Sequence, residues 1–97
     1  MAYSVQQIKF EIYRYIKEYD PEFINWYIGI SEYPKHTLVI DHNIDLEKGI
    51  WLYKQALSFR ACKTIQKYFI ENLNMQGKLV ESGIENMDCV FIFKKNK

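Results

Sequence analysis

The apolar positions fall first at helical intervals: Val5, Ile8, Ile12, Tyr15, Ile16 and Tyr19 lie on one stripe. Ser4 precedes the stripe, Gln7 follows Ser4 by three residues as in a capping box, and Pro21 disfavours helical geometry at Asp20. A helix is predicted over residues 4–20. Phe10 and Tyr13 lie off the stripe and are expected to widen the face this helix buries, with contact to another chain as the alternative.

The period then changes to two. Residues 22–31 read as a strand with Ile24, Trp26, Ile28 and Ile30 on one face and Asn25, Tyr27 and Gly29 on the other. The first face is built for burial. The second presents a phenol beside a glycine, where another group can approach the backbone closely, and is the face expected to carry function. Glu32-Tyr33-Pro34 marks a turn, and Pro34 suits the first position of a short helix that runs to about Asp41 and is anchored by Leu38, Val39 and Ile40. His42 and Asn43 end it, and residues 45–49 form a polar loop closed by Gly49.

Alternation returns over residues 50–56, with Ile50, Leu52 and Ala56 on one side and Trp51, Tyr53 and Gln55 on the other. Ser58 caps a third helix with the stripe Phe59, Cys62, Ile65, Phe69 and Leu73. Residues 74–86 read as an irregular loop in which residues 78–80 pair briefly, and residues 89–94 as a closing strand. Being apolar on both faces, that strand is expected at the centre of its sheet. The pattern predicts an α+β fold: a small three-stranded sheet packed with two longer helices and one short helix, with strand order and direction left open.

A chain of 97 residues is one domain with a single core, and 48% hydrophobic with 26% charged residues places it among globular rather than disordered sequences. A net charge of +1 supplies no general attraction for a polyanion, so nucleic-acid binding would need a local basic patch. Lys94, Lys95 and Lys97 read as a solvated end. Cys62 and Cys89, each in an apolar pattern and without a Cys-x-x-Cys pair, suit reduced, buried thiols in a cytoplasmic protein. No leader-like start and no stretch of membrane-spanning length is visible, so no membrane partner is expected.

Several short motifs occur in a definite order: Tyr27-Ile28-Gly29 before a short helix, His42-Asn43, Gly49-x-Trp51, Ala56-x-Ser58, Lys67-Tyr68-Phe69 late in a helix, Gly77, and the closing run from Val90 to Lys95. Together they resemble the small GIY-YIG-type nuclease-fold proteins over about residues 25–95, within a core of residues 22–95; the N-terminal helix of residues 1–20 lies outside the likeness. That family implies a metal-dependent phosphodiester nuclease with catalytic tyrosines on a sheet face, an arginine on the helix after the Tyr-Ile-Gly strand, and a metal-binding glutamate on the later helix. Tyr27 and Gly29 match. His36 and Thr37 stand where the arginine is expected, Gln66 stands where the glutamate is expected, and the second tyrosine from an upstream strand is absent.

A neutral amide holds a hard divalent cation poorly, and His36 lacks the fixed charge and forked donors of guanidinium. The expectation is therefore a non-catalytic GIY-YIG-like binding or assembly module that needs no cofactor. Its candidate surface comprises Tyr27, Gly29, His36, His42, Trp51, Tyr53 and Gln66, and its partner is a nucleic acid or a protein. Trp51 and Tyr53 would stack on ring-bearing ligands unless the N-terminal helix covers them. Two alternatives are carried forward. One is an active nuclease with a rearranged site, in which Tyr27 or His42 is the base and Glu32 or Asp41 holds magnesium. The other is a homodimer organised by the N-terminal helix, whose positions 5, 8, 12, 15 and 19 also satisfy a short heptad pattern.

Overall fold

The computed structural model describes residues 2–83 and 85–95. Helix α1 spans Val5–Tyr19, and the capping box forms as the sequence predicts: Ser4 Oγ accepts from the Gln7 N–H, while Gln7 Oε1 accepts from the Ser4 N–H. Ile8, Ile12 and Ile16 of its stripe are buried. At its end Asp20 organises the chain reversal, its carboxylate accepting from the Glu22 N–H and the Asn25 amide and its carbonyl from Trp26 Nε1 at 2.8 Å. The Glu22 N–H bond, then the Asn25 amide, hold the Asp20 carboxyl below the usual range, so this contribution to stability is present above the ordinary carboxylate pKa and fades as pH falls below it.

That reversal shortens the first strand. Phe23–Asn25 is a 3₁₀ turn, and strand β1 covers Trp26–Ser31 rather than starting at residue 22, so Ile24 points to solvent instead of sharing the buried face. Helix α2 spans Pro34–Ile40, with proline in its first turn as expected. Of its three predicted anchors only Leu38 is buried; Val39 and Ile40 lie on the outer side of a helix too short to bury more than one row. Strand β2 is Trp51–Gln55, helix α3 is Phe59–Leu73 capped by Ser58, and strand β3 is Cys89–Lys94.

The fold is α+β. The sheet order is β1-β3-β2, with both outer strands antiparallel to β3, which is central as its two apolar faces predict. Register places Ile28 opposite Ile92 and Ile30 opposite Val90 on one face, with Leu52 opposite Ile92 from the other side. Helices α1 and α3 close this face through Ile8, Ile12, Ile16, Cys62, Ile65 and Phe69. The other face carries Tyr27, Phe91, Phe93 and Trp51 beneath Leu38 and Ile44. The N-terminal helix thus covers the face opposite Tyr27, not the aromatic face.

Two consequences follow for α1. Ile8, Ile12 and Ile16 are buried in the protein's own core and Val5 and Tyr15 pack against it, so of the positions that satisfied a heptad only Tyr19, 51% exposed, lies free of it. Phe10 and Tyr13 do not widen that face: Phe10 is 64% exposed, and Tyr13 lies at the rim against Phe23. Cys62 and Cys89 are free and buried; burial pushes the Cys62 thiol up to about 12 and the Cys89 thiol up to about 11, so neither is a nucleophile near neutral pH.

Both sheet edges are partly capped. On β2, Tyr15 Oη donates to the Trp51 carbonyl and the Tyr3 N–H to the Gln55 carbonyl, each at 2.8 Å. On β1, Gln76 makes a one-residue parallel bridge, donating to the Trp26 carbonyl and accepting from the Ile28 N–H. The pairing expected at residues 78–80 therefore occurs at Gln76.

Gly29 owes its identity to the packing of this sheet. A Cβ there would clash with Phe91 Cζ, so the ring of the neighbouring central strand is the group that approaches the glycine backbone. Gly29→Ala is expected to destabilise by about 1–3 kcal/mol through overpacking. In a Phe91→Leu background the same change should cost distinctly less; urea denaturation of the four-member cycle measures both, and equal costs in the two backgrounds would refute the steric account.

Candidate functional site

The aromatic face opens at the β1 edge into a cavity of about 350 Å³. Strand alternation puts Tyr27 there, its ring stacked on Phe93 with centroids 5.1 Å apart. His42 reaches the same place because α2 stops. Asn43 takes the left-handed conformation at φ 56°, and the Ile44 N–H returns to the Leu38 carbonyl at 2.9 Å, turning the chain back over the sheet. The imidazole centroid of His42 then lies 4.8 Å from those of both Tyr27 and Phe93. Thr37 and Asp41, one helical turn apart, form the α2 side of the cavity, and Lys78, Leu79 and Val80 form the opposite side. Thr37 is held in place by its hydroxyl, 2.6 Å from that of the buried Ser31.

Gln66 closes the inner wall from α3. It is 1% exposed, and its Nε2 donates to the Ile28 carbonyl at 3.1 Å and to the Lys78 carbonyl at 3.0 Å. Two carbonyl partners fix the orientation of the amide, since the opposite flip would bring three oxygens together. The Ile28 carbonyl, which a continuing parallel ladder would offer to Lys78, is satisfied by this side chain instead. Gln66 therefore bolts the 78–80 segment to β1, while its Oε1 is buried without a hydrogen-bond partner among the described residues.

Of the residues singled out from sequence, Tyr27, Gly29, His42 and Gln66 come together around the cavity. His36 does not; it is exposed on α2. Trp51 and Tyr53 lie across β3, on β2, where Trp51 Nε1 is tied to the Leu46 carbonyl at 2.9 Å and the two rings stack in parallel with centroids 6.4 Å apart. They form a separate, half-exposed ledge. Phe91 and Lys78 line the cavity but were not on the candidate list; Phe91 follows from its strand register opposite Gly29, whereas no local sequence pattern marks Lys78.

The donor set does not fit a divalent cation. Asp41 is the one carboxylate lining the cavity, Glu32 lies outside it, and no group of three or more His, Cys, Asp or Glu side chains converges among the described residues. Lysines and arginine on α3 line a second cavity of about 520 Å³ that shares Gln66, Leu79 and Val80 with the first, but Glu71 and Glu81 line it too, so it is of mixed charge. Among the described residues, no helix is long and apolar enough to cross a membrane. Compared with protein-family models, curated proteins and solved structures, the chain has no significant match to any of them.

Burial lowers the pKa of His42, with Asp41 opposing more weakly, so the imidazole is neutral at pH 7. The unfolded chain therefore takes up this proton at higher pH than the folded one, and stability should fall as pH drops below about 6.5. His42→Phe is expected to flatten that part of a stability-versus-pH curve measured by urea denaturation; an unchanged slope would remove His42 as its source. Gln66→Glu sets a buried carboxylate against two carbonyls and should destabilise by about 3 kcal/mol or more at pH 7. The introduced carboxyl would have a raised pKa, so the loss should shrink in acid, where a protonated carboxyl can again donate one bond; thermal melts across pH would show it.

Proposed function

We propose that this protein is a GIY-YIG-like domain that binds rather than cuts, with the Tyr27 side of its sheet as the contact surface. The observation that carries this reading is the Gln66 amide. At the position where the resemblance expects a metal-binding carboxylate, Nε2 makes two bonds to backbone carbonyls that an ionised carboxylate could not make. The residue expected to hold the catalytic ion instead serves as a structural bolt. Exposed His36, in the region expected to hold the arginine, leaves the surface without fixed positive charge at that point. Tyr27 and His42 remain in contact at the cavity, as a recognition surface would retain them.

One observation favours the rearranged nuclease: Asp41 shares the cavity with Tyr27 and His42. A single assay separates the two readings. Incubation with single- and double-stranded DNA in magnesium and in manganese is expected to leave both substrates intact; metal-dependent cleavage that Tyr27→Phe abolishes would overturn the binding reading and restore the enzyme.

A further inference from the structure

The β1 edge carries the first rung of a parallel strand pair and then stops. Gln76 makes that rung, donating to the Trp26 carbonyl and accepting from the Ile28 N–H, each at 2.9 Å. In a parallel ladder the next rung lies two residues on, with the Lys78 N–H on the Ile28 carbonyl and the Ile30 N–H on the Lys78 carbonyl. Both acceptors of that rung are taken by one nitrogen, Gln66 Nε2, at 3.1 and 3.0 Å. Its two donors, the Lys78 and Ile30 N–H groups, have no partner among the described residues. Nor has the Ile30 carbonyl, which would accept from Val80 in the rung after. The amide of Gln66 thus stands in the place of a rung.

Side-chain alternation fixes what the missing rungs would bury. With Gln76 beside Tyr27, a continuing strand sends Lys78 and Val80 to the aromatic face and Gly77 and Leu79 to the helix face. Gly77 already obeys this, since a Cβ there would meet side-chain atoms of Ile28 and Ile70 in the helix-side layer. Leu79, next on that face, is 45% exposed. Completing the ladder would exchange two side-chain bonds for backbone ones and bring Leu79 toward the core. Gln66 has somewhere to go, because it also lines the open cavity of about 520 Å³ on the other side of the segment.

We propose that residues 78–80 are a strap with two positions: an open one propped by the Gln66 amide, and a closed one paired with β1 as a fourth, parallel strand. The strap is the wall of the Tyr27 cavity opposite α2. Closure sets Lys78 and Val80 beside Gly29 and Ser31 on the aromatic face, so a ligand seated at Tyr27 favours the open position. That consequence rests on the Tyr27 side being a contact surface, whereas the strap itself stands on the backbone register.

Amide hydrogen exchange in the isotope-labelled full chain reads the strap directly. Gln66→Leu removes the prop and leaves both carbonyls free for the ladder, so the Ile30 and Lys78 amides should exchange about tenfold more slowly than in the unchanged chain. Val80→Pro deletes a donor that is unpaired in the open position and used in the closed one, so adding it to Gln66→Leu should abolish that gain. Exchange at Ile30 and Lys78 that is no slower in folded Gln66→Leu would overturn the closed position and leave Gln66 a static bolt. Should Gln66→Leu fail to fold, the unchanged chain decides. NMR relaxation dispersion at Ile30 and Lys78 that Val80→Pro suppresses supports two positions; dispersion that is absent, or that Val80→Pro leaves unchanged, overturns them. DNA cleavage in the metal assay would overturn the binding reading without altering the exchange result, so the two failures are distinguishable.

Discussion

Burial of β3 on both faces is the constraint from which the rest of the architecture follows. Val90 and Ile92 need cover on one side and Phe91 and Phe93 on the other, so a single layer of helices would not suffice. Helices α1 and α3 provide the larger cover. The smaller one is improvised from one short helix, Leu38, and the chain that follows it, Ile44. Since this second cover is small, the aromatic face is closed at its middle and open at the β1 edge. The cavity lies at that open edge, lined by Thr37 and Asp41 at the end of α2 as well as by the sheet.

Glycine and glutamine then define that edge. Gly29 lets the Phe91 ring lie over the strand backbone, which brings the aromatic floor close to the main chain. Gln66 crosses from the other layer and replaces a ladder hydrogen bond with a side-chain one. Gly77 has a comparable steric reason, since a Cβ there would lie 2.6 Å from the Ile28 carbonyl oxygen. Residues 76–80 are therefore held against β1 by one backbone bridge and one amide, not by a strand pair. An edge closed in this way leaves the N–H and carbonyl of Ile30 without a partner among the described residues.

A Tyr-x-Gly pattern is ambiguous because the same two residues serve chemistry and packing. Here the packing role is explicit at both: Gly29 admits Phe91, and Tyr27 stacks on Phe93. Gln66 shows the same overlap, since an amide that reads as a lost metal ligand also makes two bonds for which a carboxylate is the wrong group.

Sequence alone determined the elements whose forces are local. The Ser4–Gln7 cap, the stop at Asp20 and Pro21, the proline start of α2, the stripe of α3 and the two-faced apolar pattern of β3 all depend on neighbours within a turn or on strand alternation, and all were legible. Ile24 was misread because the Asp20 carboxylate, not the alternation, shapes residues 23–25. Val39 and Ile40 were misread because hydropathy does not reveal how little of the sheet a seven-residue helix can cover. Tyr27, Gly29, His42 and Gln66 were legible as candidates, but their meeting in one cavity, and the separation of Trp51, Tyr53 and His36 from it, came from strand order and from which face each helix took. Those are contacts between residues distant along the chain, and side-chain period carries no information about them.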